Sequence, residues 1–487
     1  MKVDLLMLSP QIFLFLWAIL IFVFDFFWNK EKKHNLGYVS LLGIGITLVL
    51  VFLTTPGSLF GDMFLSDNFS RFFNLIFLGS AFLAVLSSID YLKNVKYNRG
   101  EYFSLILLST VGMMLLSSAN EFLFLYVSLE LTTIPLFILT AYLKDNYKSS
   151  EAGLKYLILG AISSAMLLYG ISLIYGLTGT TSLNLIPSTL TALFLRTDVF
   201  DPALALALIF LTAGLGFKLA LVPFHMWAPD VYEGAPTPIA AYLSVASKAA
   251  GLVAFIRIFF HQYFLLLQIR TVDWITLVAV LAAFSMILGN IVALLQTNIK
   301  RMLAYSSIAQ VGYILIGIVA ASARGIASVG FYVLAYLFAN LGAFIVAIAF
   351  SNSTSSDNIP DYAGLSKRSP SLAIFMSIFM LSLVGIPPLA GFVGKYYLFS
   401  AAIERGYIWL VVIAILTSVI SLYYYAGVIR EMYFRASPEQ SKLKISPSLK
   451  IAIIISILGV LICGIYPQPF IQLAQQAAAI FQYPTIR

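Results

Sequence analysis

Stretches of roughly twenty apolar residues, divided by short polar segments, recur along the whole chain. Fourteen such windows are long enough to cross ~30 Å of hydrocarbon as helices. They include 121–143, 203–226, 237–260, 302–320 and 371–400. The runs are continuous and lack the period-two alternation of a membrane barrel. Aromatic side chains gather near the window ends, as in interfacial belts. The pattern predicts an all-α polytopic membrane protein of about fourteen transmembrane helices. The first window, 11–28, ends in "FDFFW" without the small residues of a cleavage site, and it reads as an uncleaved first span.

Composition agrees. Of 487 residues, 61% are hydrophobic and 10% charged, too little charge to coat a soluble protein of this size. The net charge of +8 does not point to nucleic acid, because the basic residues sit in short loops between apolar runs, where they act as topology signals. A single cysteine, Cys463, excludes an internal disulfide and a thiolate cluster for metal or iron–sulfur. No P-loop is present, and the "GLG" at 214–216 lies inside a span, so it is no dinucleotide fingerprint. The chain is expected to hold no cofactor and no metal of its own.

Sorting the 29 lysines and arginines by loop gives an orientation. With the N-terminus outside, inward loops hold 18 and outward segments, with Arg257 and Arg270 among them, hold 8. This bias places both termini outside. Three cations remain, Lys218, Lys248 and Lys395, each within a span. One carboxylate joins them, Glu130, near the middle of the fifth span. The loop Trp227–Thr237 runs against the bias, with Asp230 and Glu233 and no cation.

Four ionisable side chains facing lipid would cost on the order of 10 kcal/mol, so they are expected to face protein or water. Three readings remain open at this level. The lysines could snorkel to the interface, which works near span ends. They could form static ion pairs that hold helices together. Or they could relay protons, the usual role of ionisable groups at this depth. Desolvation disfavours a charged amine, so a buried lysine can both accept and release a proton. A carboxylate ~4 Å away would oppose release by about 4 kcal/mol at an effective dielectric of ~20. Glu130 is therefore a candidate control on Lys218. His225 is a candidate link between lysines or to water, or else a structural imidazole at a helix end. The other two histidines, His34 and His261, lie in a loop and near a span end.

Prolines mark two of the lysine spans. Pro223 follows Lys218, and Pro387 and Pro388 precede Lys395 among Gly385, Gly391 and Gly394. Proline removes a backbone donor, and broken helices at midplane mark ion sites in transporters. The spans are the seventh and twelfth, so they cross in opposite directions. Spans 4–8 and 9–13 are thus expected to be inverted five-helix repeats, giving divisions at 1–101, 102–260, 261–434 and 435–487.

The stretch "GLGFKLALVPFHMWAPDVYEGAPTPIAAYLSVASKAAG" (214–251) resembles the antiporter-like membrane subunits of proton-pumping NADH:quinone oxidoreductase, respiratory complex I, and within them the subunit N branch. "NIKRMLAYSSIAQVGYILIG" and "GIPPLAGFVGKYYLF" carry the same resemblance, which runs over nearly all the spans. It implies fourteen helices, two inverted repeats and broken helices 7 and 12. It implies proton-relay roles for Glu130, Lys218, Lys248, Lys395 and His225. Water would reach Lys248 from inside, and protons would pass the His225 region towards Lys395. NAD, FMN, iron–sulfur clusters and quinone are then expected in partner subunits. The expected partners are a neighbouring antiporter-like subunit and small membrane subunits, in a bacterial inner membrane or equivalent energy-transducing membrane. A stand-alone or Mrp-type cation/proton antiporter is the alternative, and a non-conducting scaffold is a further one.

Overall fold

A computed structural model describes residues 5–28, 33–95, 99–197, 202–260, 273–436 and 442–481. His261 and Arg270 lie outside these. The first six spans are α1 (Ser9–Phe27), α2 (Leu36–Leu53), α3 (Asn68–Tyr91), α4 (Arg99–Ser117), α5 (Phe122–Thr140) and α6 (Tyr147–Thr178). The seventh breaks off early: α7a (Pro202–Leu219) is the span, and the short α7b (Trp227–Gly234) follows in the loop after it. Then come α8 (Thr237–Phe259), α9 (Trp274–Ala293), α10 (Ile299–Val319) and α11 (Ala323–Thr354). The twelfth is in two pieces, α12a (Pro370–Val384) and α12b (Ala390–Glu404), before α13 (Ile408–Phe434) and α14 (Pro447–Ile465). Among the described residues the one sheet is a two-stranded antiparallel pair, Gly57–Leu59 with Phe64–Ser66.

Thirteen helices among the described residues are long and apolar enough to span a membrane. The expected window at 371–400 is missing from that count because α12a and α12b, at 15 residues each, are individually too short. Together they complete the fourteen, and the chain is an all-α polytopic membrane protein. The helices sort by burial. α8 is enclosed throughout, and α10 and α11 nearly so, whereas α1, α2, α6 and α13 turn one apolar face outward. On α6 that face carries Leu157, Ile158 and Ile162; on α13 it carries Val412, Leu416 and Val419. Such faces suit lipid or neighbouring helices. The central trio α8, α10 and α11 is where polar side chains can be kept from lipid.

Both breaks have local causes. α7a stops where Ala220 takes a left-handed conformation (φ 56°) ahead of Pro223. The freed Phe217 carbonyl accepts from the Trp227 indole at 2.9 Å, and the Val222 amide donates to Ser285 Oγ at 3.1 Å. α12a ends on Gly385 (φ 96°). The chain then re-enters so closely that a Cβ on Gly391 would lie 1.8 Å from the Ser382 carbonyl. Backbone broken at membrane depth is tolerated when protein groups satisfy it, and here they do.

Charge placement differs from the loop count in one respect. Arg257, counted above on the outward side, lies in the last turn of α8 and is 3% exposed. Its guanidinium donates to both Asp67 oxygens (3.0 and 2.8 Å) and to the Ser117 carbonyl (3.0 and 2.6 Å), and it covers the Phe69 ring. One cation thereby joins the start of α3, the end of α4 and the end of α8. An arginine three residues inside a span end looks like a loop cation in sequence, because its partner is 190 residues away.

The loop that ran against the charge bias is also explained. Asp230 and Glu233 on α7b face cations from other segments. Lys155 and Arg301 reach Asp230 at 2.7 and 2.8 Å, and Lys148 and Arg301 reach Glu233 at 2.7 and 2.8 Å. The acids of this loop are counterions for the starts of α6 and α10, so they share a side with those basic ends and pin α7b there.

These ion pairs set two expectations for stability. Arg257→Ala strands Asp67 and the Ser117 carbonyl, and is expected to cost roughly 3 kcal/mol by analogy with other broken buried pairs; thermal unfolding in detergent showing a wild-type midpoint would refute this. For the α7b cluster, burial by itself would raise the two carboxyls, but hydrogen bonds from Lys155 and Arg301 to Asp230, and from Lys148 and Arg301 to Glu233, outweigh it and hold both below the usual carboxylate range. Depressed carboxyls stabilise the fold above their unfolded pKa and lose that contribution as pH falls through the lowered value. The midpoint difference between wild type and Asp230→Asn should therefore be flat from about pH 8 to about pH 5 and shrink below about pH 4. A difference that widens on acidification would contradict the pairing.

Candidate functional site

Each of the three intramembrane lysines is held by oxygen inside the bundle. Lys395, on the first turns of α12b, is 5% exposed. Its ammonium donates to the Val384 carbonyl at 2.8 Å and to Ser418 Oγ on α13 at 2.5 Å, and sits 4.3 Å from the Tyr313 ring centre. Val384 is the last residue of α12a, so this carbonyl is one the break sets free, at the negative end of a half-helix. The neighbouring free carbonyl, Leu383, accepts from Gln310 Nε2 on α10 at 3.1 Å. The break thus serves as a cation seat, with Gly385 leaving room beside the lysine stem.

Lys248, on α8, is 2% exposed. It donates to Ser307 Oγ on α10 at 2.6 Å and lies 5.9 Å over the Tyr232 ring of α7b. The five residues before it, Leu243–Ser247, form a π turn. Such a turn inserts an extra residue and rotates the rest of the helix about its axis, and it occurs often at functional sites. Sequence periodicity gave no sign of it. Neither Lys248 nor Lys218 snorkels: both ammonium groups end on buried serines.

Lys218 ends α7a at 3% exposure. It does not meet Glu130 directly. The Ser164 hydroxyl on α6 lies between them, donating to Glu130 Oε1 at 2.5 Å and accepting from Lys218 Nζ at 3.4 Å. Glu130 itself is half-buried, on α5 beside the outward-turned Val127 and Ile134. The carboxylate therefore has one side toward the lysine and one toward whatever covers α5. Behind them, Tyr156 stacks on Trp227 with centroids 4.6 Å apart, and its hydroxyl meets Ser247, the residue before Lys248.

His225 occupies the α7 break. It is 7% exposed, with the Pro223 carbonyl beside it and Nδ1 without a partner in good geometry. No side-chain hydrogen bond from His225 to any of the three lysines occurs among the described residues. The polar side chains between Lys248 and Lys395 run along α10, α11 and α13 instead. Ser306 bonds Tyr425, Gln310 Nε2 approaches Tyr425 at 3.4 Å, and Tyr332 donates to Gln310 Oε1. Farther along, Tyr313 donates to Thr417 at 3.2 Å and accepts from Asn290 at 3.1 Å. These residues escaped the sequence reading. Their signal was present: Ser306, Gln310 and Tyr313 recur at intervals of four and three, one polar stripe on an otherwise apolar helix. Among the described residues no group of three or more His, Cys, Asp or Glu is placed to hold a metal.

The arrangement places buried amines, hydroxyls and one carboxylate in separate hydrogen-bonded groups inside the bundle, and comparisons with known proteins fit it. The NADH:quinone oxidoreductase/Mrp antiporter transmembrane family matches residues 119–421. NADH-quinone oxidoreductase subunit N of Moorella thermoacetica is 47% identical over 463 residues, covering 93% of this chain and 94% of that one. A chain of respiratory complex I from Thermus thermophilus with bound aureothin covers 96% of this chain and 99% of its own, at a TM-score of 0.79 and 32% identity. A chain of the Mrp complex of a Dietzia species covers 99% of this chain and 98% of its own, at a TM-score of 0.84; at 20% identity this is likeness of fold. With a family match over more than half its length and a close relative over nearly all of it, the chain belongs to the subunit N family of NADH-quinone oxidoreductase membrane subunits.

Proposed function

We propose that this chain is a proton-translocating membrane-arm subunit of an NADH-quinone oxidoreductase, moving protons along its buried amines and hydroxyls while redox chemistry proceeds elsewhere. The observation that carries this is the seating of Lys248 and Lys395. Both ammonium groups are enclosed, both end on serine hydroxyls, and hydrogen-bonded tyrosines and serines occupy the space between. A static pair would need a carboxylate against each lysine, and among the described residues no salt bridge joins either to one. Neutral hydroxyl partners leave each amine free to gain and lose its proton without dismantling an ion pair.

In this reading Glu130, Ser164 and Lys218 form the coupling end. The half-exposed carboxylate on α5 faces a neighbouring subunit, and its approach or withdrawal biases Lys218 through the serine. Lys248 is the central amine and Lys395 the exit amine; His225 connects the α7 break to water. Spans 4–8 and 9–13 act as inverted repeats, each contributing a broken helix with a lysine at the break. NAD, FMN, iron–sulfur clusters and quinone belong to partner subunits. The chain sits in a bacterial inner membrane or equivalent, with both termini outside and the α7b ion-pair cluster inside. The Mrp-type antiporter reading has less behind it, since its structural match is one of fold, whereas subunit N relatives share nearly half of all residues.

Substitution in the intact complex tests the proposal. Lys218→Ala, Lys248→Ala and Glu130→Ala complexes are expected to assemble and, for the lysines, to lose pumping-linked quinone reduction by at least about tenfold, measured as its rate in coupled membrane vesicles with proton uptake per electron followed alongside. A scaffold role predicts failed assembly instead. Three assembled complexes pumping at the wild-type ratio would rule out the relay.

A further inference from the structure

Between Lys248 and the Ser306–Tyr425–Gln310 group there is a gap that the hydrogen bonds above do not close. Ser307 accepts from Lys248 and donates to its own helix, at the Ala304 carbonyl (2.7 Å). Tyr425 takes up Ser306 and Gln310. One buried side chain has members of both among its neighbours. Tyr336, on α11, is 4% exposed, and its hydroxyl has no hydrogen-bond partner in good geometry among the described residues. Among its neighbours are Ser307, within reach of its hydroxyl, and the Tyr232, Tyr425 and Tyr332 side chains. The Tyr232 hydroxyl, also buried and without a well-formed bond, approaches the same Ser307. A buried hydroxyl with no settled partner is costly, and two that converge on one serine beside a buried ammonium are not packing accidents.

Tyr336 is held there firmly. It sits one turn from Tyr332, which donates to Gln310, and one turn from Asn340, whose amide donates to Ser244 at 2.6 Å at the start of the π turn before Lys248. Tyr332, Tyr336 and Asn340 thus form a polar stripe at four-residue spacing on a buried helix. Its two outer members are bonded, and the middle hydroxyl is free to turn.

We propose that Tyr336 is the hydroxyl that passes protons between the Lys248–Ser307 pair and the Tyr425 group. This rests on the proton-translocating reading above. In one transfer an N–H bond of the Lys248 ammonium breaks as an O–H bond forms on Ser307. The former Ser307 proton moves to the Tyr336 oxygen, and the former Tyr336 proton moves to Tyr425. From there hydroxyls and water carry the excess proton to the neutral amine of Lys395. One N–H bond is lost at Lys248 and one is made at Lys395, and every hydroxyl ends with a single proton. Rotation of the Tyr336 hydroxyl back toward Ser307 resets the path. The Gln310 amide holds Tyr425 and Tyr332 in place and carries no proton itself.

The test uses the assembled complex in membrane vesicles, with proton uptake per electron and the pH profile of quinone reduction as readouts. Tyr336→Phe removes one oxygen and keeps the ring. It is expected to lower proton uptake linked to quinone reduction by at least about fivefold and to displace the pH profile, with assembly intact. Tyr362→Phe, which removes another buried unpartnered hydroxyl, on a ring stacked against Phe350 near the end of α11, is expected to behave as wild type. Ser307→Ala leaves the tyrosine packing alone and is expected to reproduce the loss, which keeps the test open if Tyr336→Phe does not assemble. Lys248→Ala in the same series separates the two claims. If it is impaired while Tyr336→Phe and Ser307→Ala pump normally with an unchanged pH profile, Tyr336 is not the link. If Lys248→Ala pumps normally, the underlying relay reading fails.

Discussion

An ammonium removed from water must find oxygen, and in a membrane it can find it only inside the protein. Much of this structure answers that constraint. Lys218, Lys248 and Lys395 lie within the apolar thickness of the chain, and each is met by a serine hydroxyl on a neighbouring helix. Lys395 takes a main-chain carbonyl as well, and that carbonyl is available because α12 stops at Val384. Pro387 and Pro388 stand four residues on from Leu383 and Val384 and carry no N–H, so neither carbonyl has a helical partner and the Val384 carbonyl is left for the lysine. The break therefore provides the means of keeping the charge.

Burial sorts the helices around the same requirement. The enclosed trio α8, α10 and α11 carries the central lysine and most of the polar side chains near it, and the outer helices supply apolar surface. Ion pairs sit apart from this polar interior. Arg257 with Asp67 staples three helix ends together, and the cluster of Lys148, Lys155, Arg301, Asp230 and Glu233 fixes α7b. Strong pairs thus occupy places that must stay still. The lysines proposed to exchange protons are bound by neutral groups, which hold them less tightly and do not commit them to one charge state.

The sequence made the architecture readable because membrane spans are long, apolar and counted easily. The three leftover lysines emerged from the same count, since a loop cation and a span cation differ in position along a run. Both breaks were announced by prolines and glycines. What sequence could not show was who meets whom. Ser164, Ser307 and Ser418 look unremarkable in membrane helices, where a serine usually bonds the carbonyl a turn behind. Their role appears only once α6, α10 and α13 are set beside the lysines. The burial of Arg257 was hidden for a related reason: its partner lies far off in sequence, and nothing local separates a buried cation at a span end from one in a loop. The π turn before Lys248 left no compositional trace, because it changes phase and not residue type. The Glu130–Lys218 distance was likewise invisible, and the structure answers it with an intervening serine.

The central claim is that the buried lysines release their protons and do not merely carry charge. Lys248→Arg addresses it most directly, because arginine keeps a cation with donors at the same site and does not deprotonate in proteins. With the complex assembled and quinone reduction followed alongside proton uptake, the account predicts that protons moved per electron fall well below the wild-type ratio. An arginine complex that pumps at the wild-type ratio would show that a fixed positive charge suffices at this position, and would contradict the relay.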